Sequence, residues 1–121
     1  MDHIDLQKRT KQFAIRIVKL VRFLQKDPIG KIIGNQQLLR SGTAVAANYR
    51  AACRCKSSKD FISKIGTVVE EADETQFWLE ILVESGVVTL SLVSDLLKEA
   101  GEITAIMTSS KTTAVRNQMK S

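Results

Sequence analysis

Phe61, Ile65, Val68, Ala72, Thr75, Leu79 and Leu82 follow one another at steps of 4, 3, 4, 3, 4 and 3. An α-helix turns once every 3.6 residues, so this alternation places all seven on one stripe. A strand would scatter them to both faces. A heptad seam of this length must be buried against other helices. The polar run "KSSKD" before it supplies N-cap candidates, and Gly86 after it sits where a C-cap is expected. The spacing predicts a helix over about 58–85.

The rest of the chain reads the same way. Phe13, Ile17, Leu20 and Leu24 step 4, 3, 4, with Leu6 seven residues upstream and Ala14 and Val21 alongside. This predicts a first helix over about 5–26, stopped at Asp27-Pro28 because the residue before proline is driven out of the helical region. Leu38, Gly42, Val45, Tyr49 and Ala52 step 4, 3, 4, 3 and predict a second helix over about 31–54. Gly42 costs about 1 kcal/mol relative to alanine in a helix interior. A close helix–helix approach is the expected compensation. Val93, Leu96, Ala100, Ile103 and Met107 define a fourth helix over about 90–115, capped at Thr89 or Ser91, with a frayed tail beyond Val115. One proline and 5% aromatics suit long helices. Four amphipathic helices with short links imply an all-α, antiparallel up-down-up-down four-helix bundle in a single domain.

Charge is uneven along the chain. Residues 1–60 hold thirteen Lys/Arg against four Asp/Glu, and residues 61–121 hold five against nine. Such a chain can bind polyanions or bind itself. On a helical wheel, Arg40, Arg50 and Arg54 fall opposite the core face of the second helix, with the short Thr43 and Ala47 between them. With Lys8, Lys11, Lys19 and Arg22 of the first helix they are candidate phosphate contacts. They equally suit ion pairs to an acidic helix of another subunit. The third helix offers that counterpart: Glu70 and Glu74 lie opposite its seam, together with Phe77 and Ile81, and Trp78 lies on the flank. Large apolar residues there form an exposed patch on a monomer, so these five are candidate oligomer contacts.

Several chemistries lack their parts. A di-iron bundle needs Glu-x-x-His motifs, and the single histidine is His3. Cys53 and Cys55 point about 200° apart on a helix and have no further ligands for zinc. Cys53 reads as a small core residue. Ser41 and Ser85 have no histidine partner, and no glycine-rich phosphate loop is present. No enzymatic activity, cofactor or metal is therefore expected. No apolar run approaches the roughly 20 residues that span a membrane. The charged N-terminus is unlike a secretory signal, so a cytoplasmic location is expected.

Within "QLLRSGTAVAANYRAACRCKSSKDFISKIGTVVEEADETQFWLEIL", Gln37, Leu38, Arg40, Ser41 and Asn48 form one pattern, Ser57 to Phe61 a link, and Glu71, Glu74, Trp78 and Leu79 a second pattern. This segment resembles the bacterial four-helix bundle proteins of the 23S rRNA-intervening sequence family. The resemblance implies a homopentameric ring, and similarity to retroelement accessory proteins that bind nucleic acid and a reverse transcriptase. Ala44 and Ala51 depart from the family pattern, the second where a glutamate is common. The expected partners are further copies of the chain and RNA or DNA. A protein scaffold without nucleic acid is the alternative.

Overall fold

The computed structural model describes residues 1–120, and every regular element among them is helical. Helix α1 spans His3–Leu24, α2 Pro28–Ile33, α3 Leu39–Cys53, α4 Ser58–Glu84 and α5 Leu90–Lys120. A π-helical turn, Gly34–Leu38, joins α2 to α3 without a break, so the chain forms four rods. They pack in sequence, α1 on α3, α3 on α4 and α4 on α5, with α1 and α5 meeting more sparsely.

The predicted stripes are the core. Ile65, Val68, Ala72, Thr75, Leu79 and Leu82 of α4 are fully buried, as are Val93, Ala100, Ile103 and Met107 of α5. Phe13, Ile17 and Leu24 of α1 and Leu38 and Val45 of the second rod meet them. Thr10 completes the α1 stripe between Leu6 and Phe13. Its hydroxyl is buried and donates to the Leu6 carbonyl at 2.8 Å. That internal bond removes the cost of an unpaired polar group.

Gly42 is where α1 and α3 close in. A β-carbon there would lie 2.7 Å from Ile17 Cγ2 and 2.8 Å from Cγ1, well inside van der Waals contact. Caps fix the other joints. Asp2, Asp27 and Ser57 side chains accept from the backbone amides of Asp5, Gly30 and Asp60. Gly86 takes the left-handed conformation at φ +80°. Its amide donates to Val83 and that of Val87 donates to Leu82, a Schellman closure of α4.

Three expectations are corrected. Pro28 begins the second rod, because its fixed φ suits a first helical turn and Asp27 caps it. A π turn interrupts that rod. Gly30, Gly34, Leu38 and Gly42 are all buried at successive steps of four, which in a plain α-helix drifts about 40° per step. The wider i→i+5 loop absorbs the drift. Finally, the C-terminal segment expected to fray is helical through Lys120. Ser121, the end of that segment, lies outside the described residues.

Candidate nucleic-acid interface

The outward flanks of α1 and α3 enclose an open groove of about 530 Å³. Lys8 and Lys11, one turn apart on α1, form one wall. Arg50 and Arg54, one turn apart at the end of α3, form the other. Thr43, Ala46 and Ala47 make a low floor between them. The groove follows from the sequence: Gly42 draws the two helices together on their inner side, and short residues on the outer side leave space. All four cations are exposed, and none is in an ion pair within the chain among the described residues. No carboxylate lines the groove. Four like charges around one concavity raise the local potential for anions.

The other candidate cations lie elsewhere. Lys19 borders a separate cleft on the α5 side, beside Arg16, Phe23 and Asp95. Arg22 is exposed in the last turn of α1 and lines neither. Arg40 turns away from Arg50 and Arg54 towards α4. Its Nη1 donates to both oxygens of Glu71 at 3.1 and 3.0 Å, and its Nη2 donates to Glu74. The hydrogen bonds to Glu74 and Glu71 hold the Arg40 guanidinium above its ordinary pKa. The Arg40 bond in turn holds the Glu74 carboxyl below the usual range. The glutamates placed opposite Arg40 are therefore those of its own chain. The wheel gives the direction of Cα–Cβ, and the long guanidinium arm bends around the helix to reach them.

That geometry also revises the proposed oligomer surface. Glu74 accepts from Trp78 Nε1 at 3.4 Å as well as from Arg40, and is half-buried. Trp78 packs against the core. Ile81 is half-buried, while Glu70 and Phe77 remain outward, Phe77 at 50% exposure. Phe77 meets Trp78 edge-to-face at 5.1 Å.

One charged contact had no clear signal in the sequence. Arg9 Nε and Nη2 donate to Glu99 at 2.8 and 2.6 Å, and Nη2 reaches Glu102 at 3.3 Å. This clamp joins α1 to α5 where they otherwise touch little. Arg9 depresses the Glu99 carboxyl, chiefly through the hydrogen bond. Only the Glu99–Glu102 spacing hinted at it, and the partner helix was not legible from spacing.

The remaining features are structural. Ser41 is buried and its Oγ hydrogen-bonds Thr75 Oγ1 at 2.9 Å. Cys53 packs against the core, and the Cys55 thiol donates to the Ala51 carbonyl at 3.4 Å. Tyr49 is buried, and burial followed by the Cys53 thiol raises its phenol above the usual range. Among the described residues no group of His, Cys, Asp or Glu is arranged to hold a metal ion. No helix among the described residues is long and apolar enough to cross a membrane.

The family pattern of the 23S rRNA-intervening sequence protein matches residues 2–109. The chain belongs to that family. A similar solved structure is that of a protein with unknown function from the S23 ribosomal protein family of Bacteroides thetaiotaomicron. It is 32% identical, with a TM-score of 0.85 over 93% of this chain and 99% of that one. No curated protein matches. In this family member, Arg40, Ser41, Glu71, Glu74 and Trp78, which carried the resemblance, lie together at the α3–α4 contact. In this chain these five residues lock two helices together, and the basic groove lies on the other flank of α3.

Proposed function

We propose that this protein is a non-enzymatic, homo-oligomeric helical bundle that binds nucleic acid through the α1–α3 groove. The supporting observation is the convergence of Lys8, Lys11, Arg50 and Arg54 on one concavity without a neutralising carboxylate. Arginine forks match phosphate oxygens, and lysines add mobile point charge. Such binding tolerates sequence and weakens steeply with salt. With about four phosphates neutralised on a duplex, affinity falls roughly 10²-fold between 50 and 200 mM salt.

Fluorescence anisotropy with labelled RNA and DNA at low salt tests this reading. Lys11→Glu with Arg50→Glu should abolish binding while helix content stays unchanged. If the unaltered protein binds neither polymer at low salt, the reading fails.

Self-association belongs to the same proposal. Phe77 is half exposed on a face of α4 that also carries Glu70 and Glu80, which suits a contact between copies. The scaffold alternative assigns the groove itself to assembly. It predicts that Arg50→Glu changes the mass seen by light scattering, whereas nucleic-acid binding predicts an unchanged mass.

A further inference from the structure

We infer that the α1–α3 groove seats the sugar–phosphate backbone of a double-stranded nucleic acid, and that its floor of small residues sets how closely that backbone approaches. This rests on the function proposed above and narrows it to one form of the polymer.

The first observation is what the groove lacks. Proteins that hold single strands combine a basic track with aromatic rings on which bases stack. The chain has four Phe, one Tyr and one Trp, and none of them lines the groove. Phe13 and Tyr49 are buried, and Phe61 and Trp78 pack against the core. Phe23 faces the α5 side with Lys26 Nζ 3.7 Å over its ring, and Phe77 stands on α4. A splayed base entering the groove meets no ring.

The second observation is spacing. The four cations stand on two helices that close in at Gly42 against Ile17. At 1.5 Å per residue, Lys8 and Lys11 are about 4.5 Å apart along their axis and Arg50 and Arg54 about 6 Å. Side chains anchored at fixed backbone intervals favour phosphates already held at fixed intervals. A single strand must be ordered as it binds, and that ordering lowers its affinity. Duplexes are commonly recognised in this way, by shape and backbone.

The third observation is the floor. Ala46 and Ala47 end at the β-carbon, and the Thr43 hydroxyl donates back to the Leu39 carbonyl at 2.6 Å. The Gln7 amide is the one neutral polar side chain at the edge without a partner inside the chain, among the described residues. It is free to hydrogen-bond a phosphate or sugar oxygen. A longer side chain at position 47 would lift a strand off the four cations without changing any charge.

The test compares a short blunt duplex, as RNA and as DNA, with a non-self-complementary single strand of equal length, by anisotropy at low salt. Duplexes should bind at least about tenfold tighter, a difference of about 1.4 kcal/mol. The RNA and DNA arms separate the two sources of the same backbone chemistry. Ala47→Leu should reduce duplex affinity about tenfold, while Ala47→Ser keeps it. Ala47 is exposed and leucine is a good helix former, so Ala47→Leu should retain helix content and melting temperature, and Ala47→Ser should retain helix content. Equal or tighter binding of the single strand overturns the inference and leaves the proposed function standing. Unchanged duplex affinity in Ala47→Leu overturns the role of the floor. No binding to any strand removes the proposed function itself.

Discussion

At the residue scale, Gly42 carries the sharpest consequence. An added methyl would collide with the base of Ile17, whose Cβ and both γ-carbons lie within 3.0 Å of it. Those atoms belong to a fully buried β-branched side chain with little freedom to move. Gly42→Ala gains about 1 kcal/mol of helix propensity but overpacks the core at a cost of about 1–3 kcal/mol. The clash lies at the root of the side chain, so the loss should win. Urea unfolding followed by Trp78 fluorescence should show net destabilisation, reduced in an Ile17→Ala background. This glycine was legible in the sequence because it stood on the core face of a helical stripe. Arg40 was only half legible. Its charge and outward Cβ were readable, but the reach of its side chain to Glu71 and Glu74 was not. Thr10 was missed because the α1 stripe was counted on its apolar residues alone, whereas Thr75 was counted into its seam; the bond from Thr10 to Leu6 makes it a core residue.

At the element scale, helix ends and helix pairs invite separate measurements. Gly86 sits at φ +80°, where an L-residue with a β-carbon costs about 1–2 kcal/mol. Gly86→Ala should lower thermal stability by that order, and Gly86→Asn by less, since asparagine tolerates the left-handed region. The Arg9–Glu99 clamp predicts acid sensitivity. The folded Glu99 carboxyl titrates below its ordinary value of 4.5, so the unfolded chain takes up its proton first. Its contribution is complete above about 4.5 and is lost as pH falls through the depressed folded value. Stability measured across that acid range should fall less steeply in Glu99→Gln than in the unaltered protein. The four rods were readable because 3-and-4 spacing survives in every one of them. The π turn was not, because it leaves no break in the composition of its rod, and the helical tail was not, because its composition points the wrong way. The tail's polar run "SSKTT" resembles a loop, yet Thr104, Thr108 and Thr112 each return a hydrogen bond to the carbonyl four residues back. Those bonds keep the hydroxyls satisfied within the helix.

At the scale of the whole molecule, the lopsided charge of the sequence resolves into distinct surfaces. One basic flank remains open at the α1–α3 groove, while Arg9 and Arg40 are neutralised by carboxylates from the acidic half. Counting charge alone therefore overstates the open basic surface, and only four of the seven candidate cations share the groove. Phe77→Asp should lower the assembled mass in light scattering if α4 joins copies, with nucleic-acid affinity falling as linked sites are lost. Charge reversal in the groove should instead abolish affinity at constant mass. The two measurements separate assembly from ligand binding across the molecule. The π turn also bears on how chains of this architecture can differ in length. Twelve residues separate Gly30 from Gly42, and a plain α-helix would leave them about 120° apart. Eleven residues of plain helix would leave them about 20° apart, on the same side. A relative lacking one residue between positions 34 and 38 could thus dispense with the π turn and keep every inward position inward. The inside of a continuous helical rod, ordinarily the last place for a gap, is here a point where one residue can come or go without turning the core inside out.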